Sequence, residues 1–505
     1  MDPREGPDLL DQAFSRAAGA SLVSGNSARL LRDGADNFPQ WLRAIGGARR
    51  HICFENFIFC EDEVGYEFSA ALIERSRAGV EVRLVYDWLG CLGKASRRFW
   101  RPLLAAGVLV RCFNSPQAAY PMRWLQRDHR KLLAVDGEVG FISGLCVGAP
   151  WRGDPARGIA AWRDTGVEIR GPALADMESA FAQVWQASAA VTGAAEAARQ
   201  PFLPPPPPAT AAGDVALRVV ATAPGQLAVL RLDQLIAAAA RQTLWLTDAY
   251  FAGIPPYIQA LRAAARDGVD VRLLVPGASD IRILRPLSQA GYRPLLEGGV
   301  RVFEWKGPML HAKTAVADGR WARVGSSNLN IASWVGNYEL DALVEDERFA
   351  GEMQRMFESD MAASTEIVLR HERRRRHRHR HRHEGAAPLH GRLERRRARA
   401  GRAAAGALRL GRTVGAALTE QRVLATTEAR IVAVVAVAAL LLAVGVMIWP
   451  RIAAVPVTLV LAWMSLVLFT RAIDLRRERR RRGLPAAHLE RTPGQPTGPG
   501  PQAGA

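Results

Sequence analysis

Lysine is nearly missing from this chain: 505 residues contain four (Lys94, Lys131, Lys306, Lys313) against 63 arginines. Arginine therefore serves wherever a generic cation is wanted, and a retained lysine marks a place where a compact ammonium is needed instead of a planar guanidinium. Cysteine is scarce as well. The five (Cys53, Cys60, Cys91, Cys112, Cys146) all precede residue 147, are odd in number and include no pair at metal-ligand spacing. A disulfide framework and a cysteine-based zinc site are both excluded, and reduced cytosolic thiols follow. Met1-Asp2-Pro3-Arg4-Glu5-Gly6 lacks the basic flank and apolar core of a secretory signal. Net positive charge is missing from most of the chain, although the total is +18. Residues 370–505 hold 27 arginines and 8 acidic residues, a surplus of 19, which leaves residues 1–369 at −1. A nucleic-acid binder spreads basic charge over its binding face, so the neutral body argues against that partner.

Two of the four lysines sit in a repeated octapeptide. His129-Arg130-Lys131-Leu132-Leu133-Ala134-Val135-Asp136 recurs as His311-Ala312-Lys313-Thr314-Ala315-Val316-Ala317-Asp318, both His-x-Lys-x4-Asp. In an extended strand residues i and i+2 share a face, so each histidine is expected to project with its lysine. Asp136-Gly137 and Asp318-Gly319 read as turns closing the strands. After the second turn, Trp321 to Val324 reads as a strand leading into Gly325-Ser326-Ser327-Asn328, whose hydroxyl and amide groups suit phosphate oxygens. The duplication is wider than the motifs. Strand-like 50–58, helix-like 67–75, strand-like 79–85 and strand-like 107–113 match 242–250, 258–266, 268–275 and 299–304. Strand–helix–strand order of this kind predicts an α/β fold of two pseudo-symmetric lobes, with mostly parallel sheets flanked by helices.

Two His-Lys pairs converging on one cleft supply a nucleophile, a general acid and two cations for a phosphoryl group. A histidine attacking phosphorus divides one difficult step into two. The second histidine protonates the leaving alcohol and later deprotonates the incoming one, while lysines neutralise the non-bridging oxygens.

The motifs resemble those of the phospholipase D superfamily, whose signature is His-x-Lys-x4-Asp followed by a Gly-Ser-x-Asn-type segment. The resemblance covers roughly residues 25–367 and is nearest to bacterial cardiolipin synthases, including Trp162-Arg163-Asp164-Thr165 after the first motif. It implies a bilobal α/β fold, a phosphohistidine intermediate, no cofactor and no metal requirement. Carried across by motif, His129 is the nucleophile and His311 the general acid. Lys131, Lys313, Ser326 and Asn328 bind phosphate, Glu339 orients His311, and Asp164 orients His129. Asp136 and Asp318 complete the catalytic motifs and are read as structural, holding the turns. In the first copy Ser143, Gly144 and Cys146 stand opposite Gly325, Ser326 and Asn328. Cys146 is a poor replacement for an asparagine donor and is read as a small apolar filler.

The chain divides into an N-terminal lobe (1–200), a Pro-rich linker (201–212), a C-terminal lobe (213–367), an Arg/His-rich juxtamembrane segment (368–430), two transmembrane helices (431–470) and a basic Pro/Gly-rich tail (471–505). Ile431 to Trp449 and Ile452 to Thr470 are 19 uncharged residues each, long enough at about 1.5 Å per residue to cross the hydrocarbon core. Arginines flank the pair at both ends, which predicts a hairpin with both ends cytoplasmic. The Arg/His tract is read as attracted to anionic headgroups and, because its arginines repel cations, not as a metal site. The expected partners are phospholipid substrates, with phosphatidylglycerol foremost, and an anionic membrane surface. The expected location is the bacterial inner membrane with the catalytic body on the cytoplasmic side. The expected reaction is phosphatidyl transfer to the hydroxyl of phosphatidylglycerol, giving cardiolipin. Hydrolysis to phosphatidic acid, or a phosphodiesterase or nuclease activity, are the alternatives.

Overall fold

The computed structural model describes residues 5–115, 126–190, 210–281 and 284–369. Most of the Pro-rich linker, both proposed membrane spans, the Arg/His tract and the basic tail lie outside them. Among the described residues no helix is long and apolar enough to cross a membrane.

Helix α1 (Glu5–Ala18) precedes the first lobe. That lobe runs β1 (Val23–Arg32), α2 (Asp33–Gly47), β2 (His51–Asn56), α3 (Glu63–Arg77), β3 (Glu81–Asp87), α4 (Arg97–Ala105), β4 (Leu109–Phe113), β5 (Arg127–Asp128), β6 (Lys131–Val135), β7 (Val139–Ser143), α5 (Ala149–Arg152), β8 (Thr165–Arg170), α6 (Leu174–Ala187) and β9 (Ala189–Ala190). The second runs β10 (Val215–Thr222), α7 (Ala228–Ala239), β11 (Thr243–Thr247), α8 (Pro255–Arg266), β12 (Asp270–Pro276), α9 (Leu284–Glu297), β13 (Arg301–Trp305), β14 (Thr314–Ala317), β15 (Trp321–Gly325), β16 (Asn337–Glu345), α10 (Glu347–Ala362) and β17 (Ser364–Ile367).

The two lobes share one strand order. β1-β8-β7-β6-β2-β3-β4-β9 in the first corresponds to β10-β16-β15-β14-β11-β12-β13-β17 in the second. The expectation of mostly parallel sheets is corrected. Within these two orders only β2-β3-β4 and β11-β12-β13 are parallel, because only there does a helical crossover return the chain to the same end. The remaining steps are antiparallel, including the hairpins β6–β7 and β14–β15 that hold the motifs. Their turns place Asp136 and Gly137 (φ 57° and 67°), and Asp318 and Gly319 (52° and 62°), in the left-handed region. Positive φ at both central residues is what a type I′ hairpin turn demands.

β6 and β7 are buried along their whole length, matching their unbroken apolar sequence. Helices α2, α3 and α4 cover the outer face of the first sheet. Helices α7, α8 and α9 cover that of the second. Between the sheets, α6 and α10 contribute to one apolar core with residues of both lobes, among them Phe181, Trp185, Phe349 and Phe357. Strand β1 joins the sheets: residues 27–32 pair with β8, while Val23 and Asn26 pair with β10. Helix α1 packs on the second lobe, with the Phe14 ring 5.0 Å from Trp321. It falls within the segment 1–200 read as the N-terminal lobe and packs on the other lobe. Burial of Phe14 decides its position, and the linear order of the chain does not.

Candidate active site

Each motif histidine stands just before its strand and leans on the other lobe. His129 N donates to Tyr338 O at 3.0 Å and His311 N to Arg163 O at 2.7 Å. Those bonds keep both histidines out of the ladder of their own sheet, so the expected strand begins only at Lys131 and at Thr314. The lysines still accompany the histidines: Lys131 Nζ donates to His129 O, and Lys313 Nζ to His311 O.

The orienting carboxylates are exchanged relative to the sequence expectation. His129 Nδ1 lies 2.9 Å from Glu339 Oε2 and 3.1 Å from Oε1, and His311 Nδ1 lies 2.7 Å from Asp164 Oδ2. Glu339 thus serves His129 and Asp164 serves His311. In the two sheets Ser143 pairs with Gly166 and Gly325 with Asp341, so Asp164 and Glu339 are equivalent positions that each cross the interface. A carboxylate only accepts. Nδ1 is therefore the protonated nitrogen, the shorter carboxylate contact outweighing Lys313 Nζ, which lies 3.0 Å from His311 Nδ1 and gives its protons to His311 O. Nε2, without a protein partner among the described residues, keeps the lone pair.

Asp164 is held further by Trp151 Nε1 (3.0 Å) and Thr165 N (2.8 Å). Glu339 accepts from Asn337 Nδ2 (3.0 Å) and Ser326 Oγ (2.6 Å). Burial pushes both acids up, but their histidines and the nearby lysines outweigh it, and Glu339 falls to about 2. Burial and the lysine charges depress the histidines, His311 to about 3. Lys313 is drawn down to about 8, chiefly by burial and also by Lys131. Both lysines act on both histidines, which makes the four groups one electrostatic cluster.

Ser326 does not fill its expected place as a phosphate donor. Its single hydroxyl proton goes to Glu339, and its oxygen accepts from Leu340 N at 2.9 Å. Its counterpart Gly144 is glycine for want of room, since a Cβ there would stand 2.2 Å from Asp164 Oδ1. Asn328 fits its expected role better: its Nδ2 has no protein partner among the described residues, and its Oδ1 is buried and unpartnered. Cys146 is buried in the apolar core of the first lobe. Burial raises its thiol, in keeping with a filler.

Asp136 and Asp318 stay at the far ends of their strands. Asp136 accepts from the backbone N–H of Arg49, Arg50 and His51 at 2.7–2.8 Å, and Asp318 from Arg241, Gln242 and Thr243 at 2.7–2.9 Å. They pin the start of β2 and β11 and hold no reacting group.

Sequence reasoning missed the aromatic walls. Phe57 stands 4.9 Å from the His129 ring, and Trp151, Trp162 and Tyr250 stand 5.4–5.8 Å from His311. It also missed Arg130, the variable residue of the first motif, which spans the interface to Glu339 O, Ala180 O, Gln183 Oε1 and Thr222 O. Asn337 alone had a local signal, two residues from Glu339 on one strand.

The family model described as "Cardiolipin synthase, PLD-like domain" matches residues 41–148 and 232–361. Cardiolipin synthase 1 of Bacillus cereus is 31% identical over 364 residues, 71% of this chain and 71% of that protein. Cardiolipin synthase A of Pseudomonas aeruginosa is 33% identical over 360 residues, 70% of this chain and 71% of that protein. The crystal structure of a phosphatidylserine synthase from Haemophilus influenzae superposes with a TM-score of 0.56 at 14% identity, covering 70% of this chain and 91% of that one. At that identity the likeness is one of fold.

Proposed function

The chain belongs to the cardiolipin synthase family of the phospholipase D superfamily, and from that premise we propose that it is a phosphatidyltransferase making cardiolipin from phosphatidylglycerol and a second phospholipid. The observation that carries the reading is the pair of buried His-Lys units, each closed by a carboxylate from the opposite lobe. Such a site has two basic ring nitrogens and two cations facing one phosphoryl group.

His129 Nε2 attacks phosphorus, and the bond to the departing alcohol oxygen breaks as His311, which takes a second proton on Nε2 from solvent when the anionic substrate binds, gives that proton to the oxygen. The product is phosphatidyl-His129. The hydroxyl of phosphatidylglycerol then attacks the same phosphorus, His311 takes its proton, and the phosphorus–nitrogen bond breaks to release cardiolipin. Lys131 and Lys313 balance the equatorial oxygens, where electrostatic stabilisation has most effect. The lobes are near-equivalent, so the division of labour between the histidines rests on the family resemblance. His311 is neutral in the free site, with its pKa at about 3. The phosphate that brings negative charge between the lysines also raises the histidine's affinity for the proton it must donate.

The same reading places the enzyme at the bacterial inner membrane with its body on the cytoplasmic side. Its support is the two uncharged 19-residue stretches and their arginine flanks. The test is mass-spectrometric lipid analysis after incubation with phosphatidylglycerol alone, then with added phosphatidylethanolamine. Cardiolipin with free glycerol supports the transferase. Phosphatidic acid alone reassigns the protein as a hydrolase, and cleavage restricted to added DNA reassigns it as a nuclease.

A further inference from the structure

Exposed apolar side chains on a soluble surface are ordinarily scattered. Here nine large hydrophobic side chains are exposed among the described residues, and six of them, Leu89, Leu92, Ile159, Ile281, Ile331 and Val335, lie on the connections at one end of the sheets, the last two on a short π-helical turn (Ala332–Gly336) and its flank. That end holds the site. β3 and β12 run parallel to β2 and β11, whereas β6 and β14 run antiparallel to them. The loops leaving β3, β7, β12 and β15 therefore emerge beside His129 and His311.

Direct contacts tie each loop to the site. Leu89 and Leu92 flank the turn capped by Asp87, whose carboxylate also accepts from Asp128 N at 2.9 Å, one residue before His129. Ile159 precedes Trp162, whose ring is 5.8 Å from His311. Ile281 follows Asp280, which accepts from Tyr250 Oη at 2.9 Å. Ile331 follows Asn330, whose side chain donates to Tyr250 O at 2.9 Å. Val335 stands four residues before Glu339.

Charge on this rim is mixed, with its exposed cations clustered beside one apolar tip. Asp62 caps α3, Glu61 accepts from Ser96 N, and Asp280 accepts from Tyr250. Lys94, Arg97 and Arg98 are exposed beside Leu92 and form no salt bridge among the described residues. Apolar tips beside exposed cations suit a surface that is anionic outside and apolar just beneath. Such a rim inserts by the same balance that seats an amphipathic helix at the headgroup–acyl boundary.

We propose that this rim is a docking surface for an anionic phospholipid bilayer, seating the mouth of the site on the membrane independently of the C-terminal segment. The proposal rests on the phospholipid reading above: a substrate whose acyl chains stay in the bilayer reaches buried histidines only if the mouth lies at headgroup level.

The test uses the full chain, as wild type and as a Leu92→Asp, Ile159→Asp, Ile331→Asp variant. Each is assayed on phosphatidylglycerol vesicles and on monomeric short-chain phosphatidylglycerol below its micelle concentration. The variant is expected to lose about tenfold or more on vesicles, the scale of removing one or more apolar side chains from contact. On monomeric lipid it is expected to stay within about twofold, a change too small to reflect a lost contact. Equal loss on both substrates, or no loss on vesicles, overturns the proposal. If the triple variant does not fold, Ile159→Asp and Ile331→Asp are assayed singly against the same criteria. A second readout is independent of turnover and so separates this proposal from the transferase reading. A fluorophore at Ile331→Cys in protein reconstituted into phosphatidylglycerol vesicles should be quenched by brominated acyl chains, and one at Arg348→Cys, beyond the opposite end of β16, should not. Equal quenching at both positions, or at neither, defeats the proposal. So does a signal at position 331 that follows protein concentration without lipid, which assigns the rim to a second copy of the chain.

Discussion

Glu339 belongs to the second lobe, yet its carboxylate closes on the histidine of the first, with Oε2 2.9 Å from His129 Nδ1. Asp164 returns the relationship at 2.7 Å from His311 Nδ1. Neither lobe alone contains a histidine with its tautomer fixed, so the site exists only when the lobes are docked.

This exchange separates the two carboxylates experimentally. Glu339→Gln should slow formation of the labelled phosphatidyl-enzyme from a radioactive donor by about 10⁴-fold, the scale of losing the group that fixes a catalytic histidine's tautomer. Asp164→Asn should leave attack on a donor with a good leaving group largely intact and slow turnover of ordinary lipid. Rapid-quench measurement of the adduct in both variants checks this, and the reverse pattern would exchange the roles of the histidines.

Binding of phosphate should take up protons. His311 at about 3 and Lys313 at about 8 are both depressed by burial and by neighbouring positive charge. An anion placed between them favours the protonated form of each, so their affinities for protons rise. Calorimetry with inorganic phosphate at pH 8, in buffers of different ionisation enthalpy, should show net proton uptake. Zero uptake, or release, contradicts the arrangement.

Acid should destabilise the fold through His311. Its folded pKa of about 3 lies below the ordinary 6.5, so the unfolded chain binds the extra proton first. The stability from keeping it neutral is fully present above 6.5 and is lost as pH falls towards 3. Thermal melts of His311→Gln should be less steeply pH-dependent than wild type across that window. An unchanged slope would locate the acid sensitivity elsewhere.

Lys131→Arg and Lys313→Arg should each reduce turnover by about 100-fold despite keeping the charge, the scale of a reacting group displaced by about an ångström. Both lysines are fully buried beside their histidine carbonyls, and the guanidinium fork is larger than that space. Circular dichroism melts establish that the variants fold. Chelators should leave the wild-type rate unchanged, because these lysines supply the positive charge. Near-normal rates in both variants would remove the argument for the ammonium.

Asp318→Ala should lower stability by about 2–3 kcal/mol, since one carboxylate accepts three backbone donors. Activity per folded molecule should be retained. Asp318→Asn should cost less, because asparagine tolerates the left-handed φ of 52°. Denaturant titration beside active-site counting separates the two effects, and a specific loss of turnover would return Asp318 to the chemistry.

The motif residues, the hairpin turns and the repeated strand–helix–strand order were legible in the chain because each depends on neighbours a few positions away. Apolar runs and Asp-Gly turns specify β6–β7 and β14–β15, and the retained Lys131 and Lys313 single out their octapeptides. The exchange of Asp164 and Glu339 was not legible, nor were the antiparallel outer strands, the use of Ser326 as a brace and the place of α1 on the second lobe. Each of these depends on which apolar faces meet when the lobes close over the core shared by α6 and α10. Spacing along a strand brings His and Lys to one place, but only burial between two docked sheets selects the carboxylate that each histidine meets.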